Sequence, residues 1–480
     1  MTNNNIILRG VDLFYLATPE LFLFAAILLL IPLKLFFFKN KIFKYSNKFS
    51  YLVILITLVL VLLMPYQGEA FNGLFLTTDF HKYIKLLILI CIFFVLLVSK
   101  NKSKIEGINF PEFNLLILLS ACGMLMAVSS NSLMTLYLSL ELQALPIYIL
   151  CSLRKKDLRS SEAGLKYFLL GALSSGFLLF GISLIYGFSG SVSYAEIMNN
   201  DIKSNLGLNF GLIFLISGIA FKISAAPFHM WAPDVYQGSP SPITLFIASA
   251  PKITAVGILI ILTYKVFSNV HQYWNSLLIV LSLASIIVGS IGAVIQSSIK
   301  RLLAYSSIAH MGFILVGLVS FSNLGLEGVL FYLLIYLFLL IGVFSIILSL
   351  KKDDQPIELL SDLRGLSNNH PLLAISFLIF MFAMAGIPPL SGFFGKWFVF
   401  YAAVDKGYYG LAIVGIIFSV VSAFYYLKVI KIMFFENSDD QVSLDQNFEL
   451  KFVLFISLFV TCFVFLFVPI IQNFILTSLL

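Results

Sequence analysis

Lysines and one glutamate stand inside apolar stretches long enough to cross a membrane, where a charged side chain is costly and is a functional candidate by default. Lys222 and Lys252 flank a proline-rich segment, and Glu141 lies in the apolar run LYLSLELQALPIYIL. Lys396 follows AGIPPLSGFFG, where prolines and glycines interrupt another long apolar run. Proline breaks or kinks a helix, and a broken helix beside a charge is typical of the ion sites of transporters.

These residue types can carry protons. Lys222 is the best candidate partner for Glu141, because a helix breaker and apolar sequence flank it. A neighbouring carboxylate would hold this lysine protonated, and moving the carboxylate away would leave a desolvated ammonium that tends to release its proton. The sequence therefore predicts a switch in which one displacement moves one proton, with Lys252 and Lys396 as further members of the path.

Each residue also has an ordinary structural interpretation. Glu141 can be hydrogen-bonded for packing alone, and the lysines can extend their ammonium groups to the membrane surface. For Lys166, nearer the end of its apolar run, a tuning role and a direct role both stay open beside that interpretation. His229 and His310 can relay protons, because histidine titrates near neutral pH, or can bind freed carbonyls and water. For Lys428 the surface interpretation is favoured.

The composition is that of a membrane protein with many spans. Of the 480 residues, 60% are hydrophobic and 11% are charged, whereas soluble domains carry about 25% charged residues. The net charge of +7 does not indicate nucleic-acid binding, because the basic residues are dispersed in short loops. Apolar runs of spanning length predict an all-α fold with fourteen transmembrane helices, at 19–38, 50–66, 83–99, 112–129, 131–151, 161–188, 207–230, 241–266, 275–297, 302–321, 324–350, 371–402, 408–434 and 452–479.

The charges of the loops predict the orientation of these helices. Basic residues concentrate in odd-numbered loops: Lys39, Lys41, Lys44, Lys48, Lys100, Lys102, Lys104, Arg154, Lys155, Lys156, Arg159, Lys300, Arg301, Lys351, Lys352 and Arg364. Even-numbered loops hold about one lysine each: Lys82, Lys203, Lys265 and Lys406. The positive-inside rule then places the odd loops on the cytoplasmic or matrix side and both termini on the opposite side.

The second half of the chain repeats features of the first. Lys222 and Lys252 are 30 residues apart in the seventh and eighth runs, and Lys396 and Lys428 are 32 apart in the twelfth and thirteenth. Five helices separate the paired elements, so the two units insert upside down relative to each other, as in many transporters. We expect one integral membrane domain over 1–480, with helices 1–3 in 1–108, repeats in 109–270 and 271–436, and a last helix in 437–480.

Motifs of nucleotide-binding, hydrolytic and metal enzymes are absent from the sequence. It has no P-loop, no GxGxxG on a strand-to-helix turn, no nucleophile elbow and no metal-spaced cluster of histidines and cysteines. The four cysteines lie singly in or beside apolar segments and are interpreted as small hydrophobic residues. We therefore expect no cofactor and no metal in this chain, and no redox chemistry by this chain alone.

Several motifs resemble the antiporter-like membrane subunits of respiratory complex I. They are FKISAAPFHMWAPDVYQGSPSPIT, the APK around Lys252, KRLLAYSSIAHMGF at 300–313 and AGIPPLSGFFGKW at 385–397. Within that family the sequence PDVYQGSPSP, a lysine in the twelfth run and a short C-terminus resemble the subunit N group. The resemblance implies two inverted five-helix repeats and discontinuous seventh and twelfth helices.

The same resemblance implies roles and partners. It implies a buried Glu141–Lys222 pair, Lys252 as the central lysine, Lys396 on the exit side and Lys166 as a sixth-helix lysine of the family. The second repeat carries no carboxylate that matches Glu141, so its charge relay must differ. The partners implied are other membrane-arm subunits of complex I and the lipid bilayer of a bacterial or mitochondrial inner membrane. The whole complex uses NADH and ubiquinone, and the flavin, iron–sulfur clusters and quinone are implied in partner subunits. Two alternatives stay open: a subunit of a multisubunit Na⁺/H⁺ antiporter, and a purely structural spacer.

Overall fold

In the part of the chain that the computed structural model describes, each of the fourteen predicted apolar runs is occupied by a helix or by consecutive helices, here called spans 1 to 14. The residues described are 12–36, 42–64, 67–100, 110, 112–154, 156–199, 206–352, 355–437, 442–445 and 447–479. Several residues of the predicted loop pattern lie outside them: Lys39, Lys41, Lys102, Lys104, Lys155 and Lys203. Within the described ranges ten helices are long and apolar enough to cross a membrane on their own. Spans 1, 4, 7 and 12 contain the shorter apolar helices.

The bounds of the spans agree with the predicted runs to within a few residues at most ends. Spans 1 to 6 are Thr18–Phe36, Ile42–Leu63, Asp79–Ser99, Glu112–Val128, Leu133–Cys151 and Leu158–Ser189. Span 8 is Ser241–Ile260, continued by the π-helix Ile261–Val266. Spans 9, 10, 11 and 13 are His271–Val294, Ile299–Val319, Asn323–Ser349 and Tyr409–Phe435. Span 14 consists of three consecutive helices, Phe448–Phe463, Val464–Phe467 and Val468–Leu479. Short helices are Asp12–Leu16, Tyr194–Asn199, Ser268–Val270, Leu360–Leu363 and Leu366–Asn369.

Spans 7 and 12 are broken, as predicted. Span 7 consists of Leu206–Lys222 and Trp231–Gly238, and span 12 of Pro371–Ala385 and Ser391–Asp405. They are five spans apart and therefore cross the membrane in opposite directions. The two lysines do not occupy equivalent positions, because Lys222 ends the first half of its span whereas Lys396 lies inside the second half.

Side chains satisfy the backbone groups that the break in span 7 leaves free. The indole of Trp231 donates to the carbonyl of Phe221 at 3.0 Å, and the hydroxyl of Ser285 in span 9 accepts from the backbone N–H of Ala226 at 2.8 Å. Ser224 has φ of 58°, a left-handed conformation that turns the chain out of the helix. Irregular backbone at membrane depth is tolerated only where protein groups meet its polar atoms in this way.

Span 8 is the central helix of the fold, and every residue of Ser241–Ile260 is buried. Its sequence is apolar on all sides, which is the pattern of a helix surrounded by other helices. Spans 10 and 11 are nearly as deeply buried, whereas large apolar side chains of spans 2, 13 and 14 point outward. A lysine in span 8 is therefore enclosed by protein rather than by lipid.

Small strands join the loops at the two ends of the bundle. Gly68–Ala70 pairs antiparallel with Phe75–Thr77, with Glu69 opposite Leu76. The N–H of Leu76 donates to the carbonyl of Ser129 at 2.9 Å, which attaches this hairpin to the turn between spans 4 and 5. A second sheet has the order Gln355–Pro356, Leu350–Lys352, Ser443–Leu444, all antiparallel.

Gly289→Ala is expected to lower the thermal unfolding midpoint of the purified protein in detergent. A Cβ at Gly289 in span 9 would lie 2.5 Å from the backbone nitrogen of Ala309 in span 10, so the two helices would have to separate. Overpacking of this kind costs about 1–3 kcal/mol. Gly187→Ala is the matched control, because a Cβ there meets no atom within 4 Å. Equal midpoints for the two variants would show that spans 9 and 10 are not in such close contact.

Candidate functional site

Lys252 lies near the middle of span 8 and is fully buried. Its Nζ donates to the hydroxyl of Ser224 at 2.5 Å, at the break of span 7, and to the hydroxyl of Ser307 in span 10. The ring of Tyr236 lies 5.7 Å from the same nitrogen, which allows a cation–π interaction. Within the described residues this amine is thus held by hydroxyls and an aromatic face. Lys252 joins the central helix to the first break.

Glu141 and Lys222 lie within electrostatic reach of each other but are not in direct contact. The carboxylate of Glu141 accepts a hydrogen bond from Ser175 in span 6. The Nζ of Lys222 is buried and has no hydrogen-bond acceptor among the described residues. The pair predicted from the sequence is therefore seen with its two members apart.

The half-buried side chain of Glu141 lies on the outer face of span 5. Leu138 and Leu145, on the same helix face, are 60% and 51% exposed. An ionisable group bordered by exposed leucines lies at a surface that lipid or another membrane protein must cover.

Lys396 joins the two halves of the broken span 12. Its Nζ donates to the carbonyl of Ala385, at the end of the first half, and to the hydroxyl of Ser419 in span 13, both at 2.9 Å. The ring of Phe313 lies 5.0 Å from the nitrogen. An apolar cavity of about 530 Å³ between spans 12 and 13 reaches this amine, with the half-exposed Trp397 on its wall.

His310 in span 10 lies within electrostatic range of both Lys252 and Lys396. Its Nδ1 is 2.7 Å from the hydroxyl of Tyr332, and its Nε2 is 3.0 Å from the hydroxyl of Tyr426. We call these three residues the His310 cluster. Both ring nitrogens are hydrogen-bonded to phenols, so a neutral imidazole donates to one phenol and accepts from the other.

Three other residues singled out in the sequence lie outside this row of contacts. Lys166 is partly exposed and bonds Asp234 at 2.9 Å and Glu162 at 2.7 Å beside a polar cavity of about 250 Å³. His229 is half-buried in the break of span 7, and its Nδ1 has no hydrogen-bond partner among the described residues. Lys428 donates to the carbonyls of Val294 and Gln296 at the end of span 9, at 3.2 and 3.3 Å.

A buried ion pair escaped sequence reasoning. The Nζ of Lys85 in span 3 lies 2.6 Å from a carboxylate oxygen of Glu20 in span 1, and both side chains are almost fully buried. Its only signal in the sequence is that each residue lies within the first two turns of an apolar helix. The pair connects span 1 to span 3 and lies apart from the row that ends at Lys396.

The tyrosines around His310 were also missed. Tyr332 and Tyr336 are four residues apart in span 11 and therefore lie on one helix face. The four-residue spacing is the signal in the sequence that could have predicted a shared role for these tyrosines, although aromatic residues in an apolar helix usually indicate packing. Together with the amines, these hydroxyls form a row of groups that can donate and accept protons.

Comparisons with known proteins agree with this fold. A family described as NADH:quinone oxidoreductase/Mrp antiporter, TM, matches residues 130–422. NADH-quinone oxidoreductase subunit N of Parvibaculum lavamentivorans is 46% identical over 392 residues, 81% of each chain. The protein of the same name from Pelagibacter ubique is 44% identical over 435 residues, 90% of this chain and 92% of that one.

Two solved structures show the same arrangement of helices. A chain of respiratory complex I from Thermus thermophilus superposes with a TM-score of 0.81 at 30% identity, over 95% of this chain and 98% of that chain. A chain of the Mrp complex from Dietzia superposes with a TM-score of 0.83 at 19% identity, over 97% of both. The second likeness concerns the fold alone.

Proposed function

Since this chain belongs to the NADH:quinone oxidoreductase/Mrp antiporter family, within the subunit N group, we propose that it carries protons across the membrane in a proton-pumping NADH:quinone oxidoreductase. It is a membrane-arm subunit of that oxidoreductase. The path that we propose runs along Glu141, Lys222, Lys252 and Lys396. Lys166, His229 and His310 tune these groups or relay protons between them.

The observation that carries the proposal is the fully buried Lys252, bonded to hydroxyls at the break of span 7 and in span 10. A buried ammonium costs several kcal/mol even after the protein relaxes around it. Such a cost is not needed for packing, because apolar residues would fill the same helix at no electrostatic penalty. Reversible protonation at this position, as proton transfer requires, explains why a lysine rather than an apolar residue stands there.

Glu141 and Lys222 supply the switch of the proposed path. With Glu141 turned to Ser175, the Lys222 ammonium stands in a buried site without an acceptor. We interpret this arrangement as the separated position of the switch, in which Lys222 tends to pass its proton onward. Return of the carboxylate would favour protonated Lys222 again.

Partner subunits complete the activity. We propose that they oxidise NADH with flavin and iron–sulfur clusters and reduce quinone, while this chain holds no cofactor of its own. The exposed leucines beside Glu141 support a neighbouring membrane subunit on that face. By the positive-inside rule we place the odd loops in the cytoplasm or matrix and both termini on the other side of a bacterial or mitochondrial inner membrane.

The test is to replace Glu141 or Lys222 by alanine and to measure proton pumping per NADH oxidised in inverted membrane vesicles. We expect the pumping rate to fall at least about tenfold, because a positioned acid or base contributes 10²-fold or more to proton transfer. Glu196→Ala removes an exposed carboxylate from a short helix outside the spans and serves as the control. Unchanged pumping in a fully assembled complex would refute the assigned roles.

No observation favours the antiporter alternative. The Mrp chain shares the fold at 19% identity, whereas the subunit N proteins share 43–47% of residues with this chain. The structural-spacer alternative predicts that removing the buried amines leaves pumping intact, so the same vesicle experiment decides it.

A further inference from the structure

The hydroxyls of Ser307 and Tyr336 connect Lys252 with the neighbourhood of His310. Ser307 accepts a hydrogen bond from the Nζ of Lys252 and another, at 2.8 Å, from the phenol of Tyr336. The Tyr336 ring lies 5.5 Å, between centroids, from the imidazole of His310. All four residues are buried, so these hydroxyls stand where protein rather than bulk water must conduct a proton.

The connection is incomplete in one place. Tyr336 has a single hydroxyl proton, which it donates to Ser307, and it is not hydrogen-bonded to His310. Both nitrogens of His310 are taken by Tyr332 and Tyr426. While the Tyr336 hydroxyl donates to Ser307, it cannot pass a proton from Ser307 to His310.

We propose that Tyr336 is the switch of the second half of the path: turning its hydroxyl from Ser307 toward the His310 cluster connects Lys252 to His310. This inference rests on the proposed function. The second repeat has no carboxylate that matches Glu141, and Tyr336 would take the role of that carboxylate. In the first repeat a carboxylate moves; in the second a phenol turns.

The proton count of the transfer is balanced. The N–H bond of Lys252 breaks as an O–H bond forms on Ser307, whose own proton moves to the oxygen of Tyr336. The original phenolic proton of Tyr336 then passes to the oxygen of the cluster phenol that donates to His310, as the O–H bond of that phenol breaks and its own proton moves to the imidazole nitrogen that lacks one. Ser307 and Tyr336 end neutral, Lys252 is left as a neutral amine, and the His310 cluster has gained one positive charge.

A buried tyrosine needs a hydrogen-bond acceptor for packing alone, but two features distinguish Tyr336. Its acceptor is a side chain that is also bonded to an ionisable amine, and a second acceptor, the carbonyl of Ala248, lies 3.3 Å away. Tyr83 shows the ordinary arrangement, since its buried phenol donates at 3.1 Å to the carbonyl of Leu330, outside the row of amines.

The experiment compares Tyr336→Phe with Tyr83→Phe in the assembled complex. Each variant loses one buried hydroxyl and keeps its ring. We expect Tyr336→Phe to lower the pumping rate about tenfold and to enlarge the slowing of pumping in heavy water, because proton transfer becomes rate-limiting. Tyr83→Phe should change neither. A purely structural role would reduce the amount of assembled complex and leave the isotope effect per complex unchanged, which would overturn the proposal.

Two further variants separate this inference from the proposed function. Ser307→Ala removes the other hydroxyl of the bridge and should reproduce the isotope effect of Tyr336→Phe. Lys252→Met tests the path itself. If Lys252→Met stops pumping while Tyr336→Phe and Ser307→Ala pump normally, the hydroxyl switch is wrong and the amine path stands. If all three variants pump normally, both the hydroxyl switch and the proposed proton path are wrong.

Discussion

Replacing Lys252 by methionine is expected to stop proton pumping through this subunit while the complex still assembles. Methionine has a similar length and no charge, so the path loses its central amine without a large cavity. Removing a buried charge relieves its desolvation cost, which is several kcal/mol. The hydroxyls of Ser224 and Ser307 each lose one donor, at about 1 kcal/mol each. The relief is at least as large as the loss, so assembly should not suffer.

The measurement for Lys252→Met is the pumping rate in inverted vesicles, normalised to assembled complex. Thr254→Val is the control, because it changes a fully buried residue of the same helix whose hydroxyl bonds, among the described residues, the carbonyl of Ala250 of its own helix, at 3.0 Å. That variant should pump normally. Pumping by Lys252→Met at the rate of Thr254→Val would contradict a central role for the amine.

Much of the fold follows from local pattern. Apolar length predicted every span, and proline with glycine predicted the breaks in spans 7 and 12, because a missing N–H and a restricted φ act at the residue itself. Apolar length alone gives 371–402 as one run, whereas the structure has two helices there, Pro371–Ala385 and Ser391–Asp405. Both halves are apolar, so hydropathy does not separate them and the prolines and glycines are the signal for the break.

The partners of the buried amines could not be predicted in the same way. Lys252 meets Ser307, 55 residues further along the chain, and His310 meets Tyr426, 116 residues further. Serines and tyrosines inside apolar helices look like packing residues until the helices are placed side by side. The direct contact expected between Glu141 and Lys222 depends on side-chain conformations of the same kind, and it is not made here.

The row of ionisable groups implies that electrostatic interactions, more than large movements of the helices, link the sites. Two unit charges about 8 Å apart interact by roughly 2 kcal/mol at an effective dielectric near 20. That exceeds the 1.36 kcal/mol that corresponds to a tenfold change in proton affinity. Protonation of one group can therefore bias its neighbour, and the hydroxyls between Lys252 and His310 need only turn to let the proton follow.

Lys396→Met is expected to block the last step of the path and to weaken span 12 at the same time. The ammonium is the last amine of the row, and it also ties the carbonyl of Ala385 to the second half of the broken helix. Leaving that carbonyl without a donor costs about 1–3 kcal/mol, so the amount of assembled complex should fall somewhat. The pumping rate per assembled complex should fall at least about tenfold.

Lys428→Met separates these two effects. Lys428 also donates to carbonyls at a helix end, those of Val294 and Gln296 at the C-terminal end of span 9, but it lies outside the row of buried amines. Its loss should lower assembly to a similar degree and leave pumping per complex unchanged. Lys396→Arg, which keeps a charge that cannot be released because guanidinium stays protonated, should assemble but not pump. An arginine variant that pumps normally would mean that Lys396 serves only as a fixed charge holding the two half-helices together.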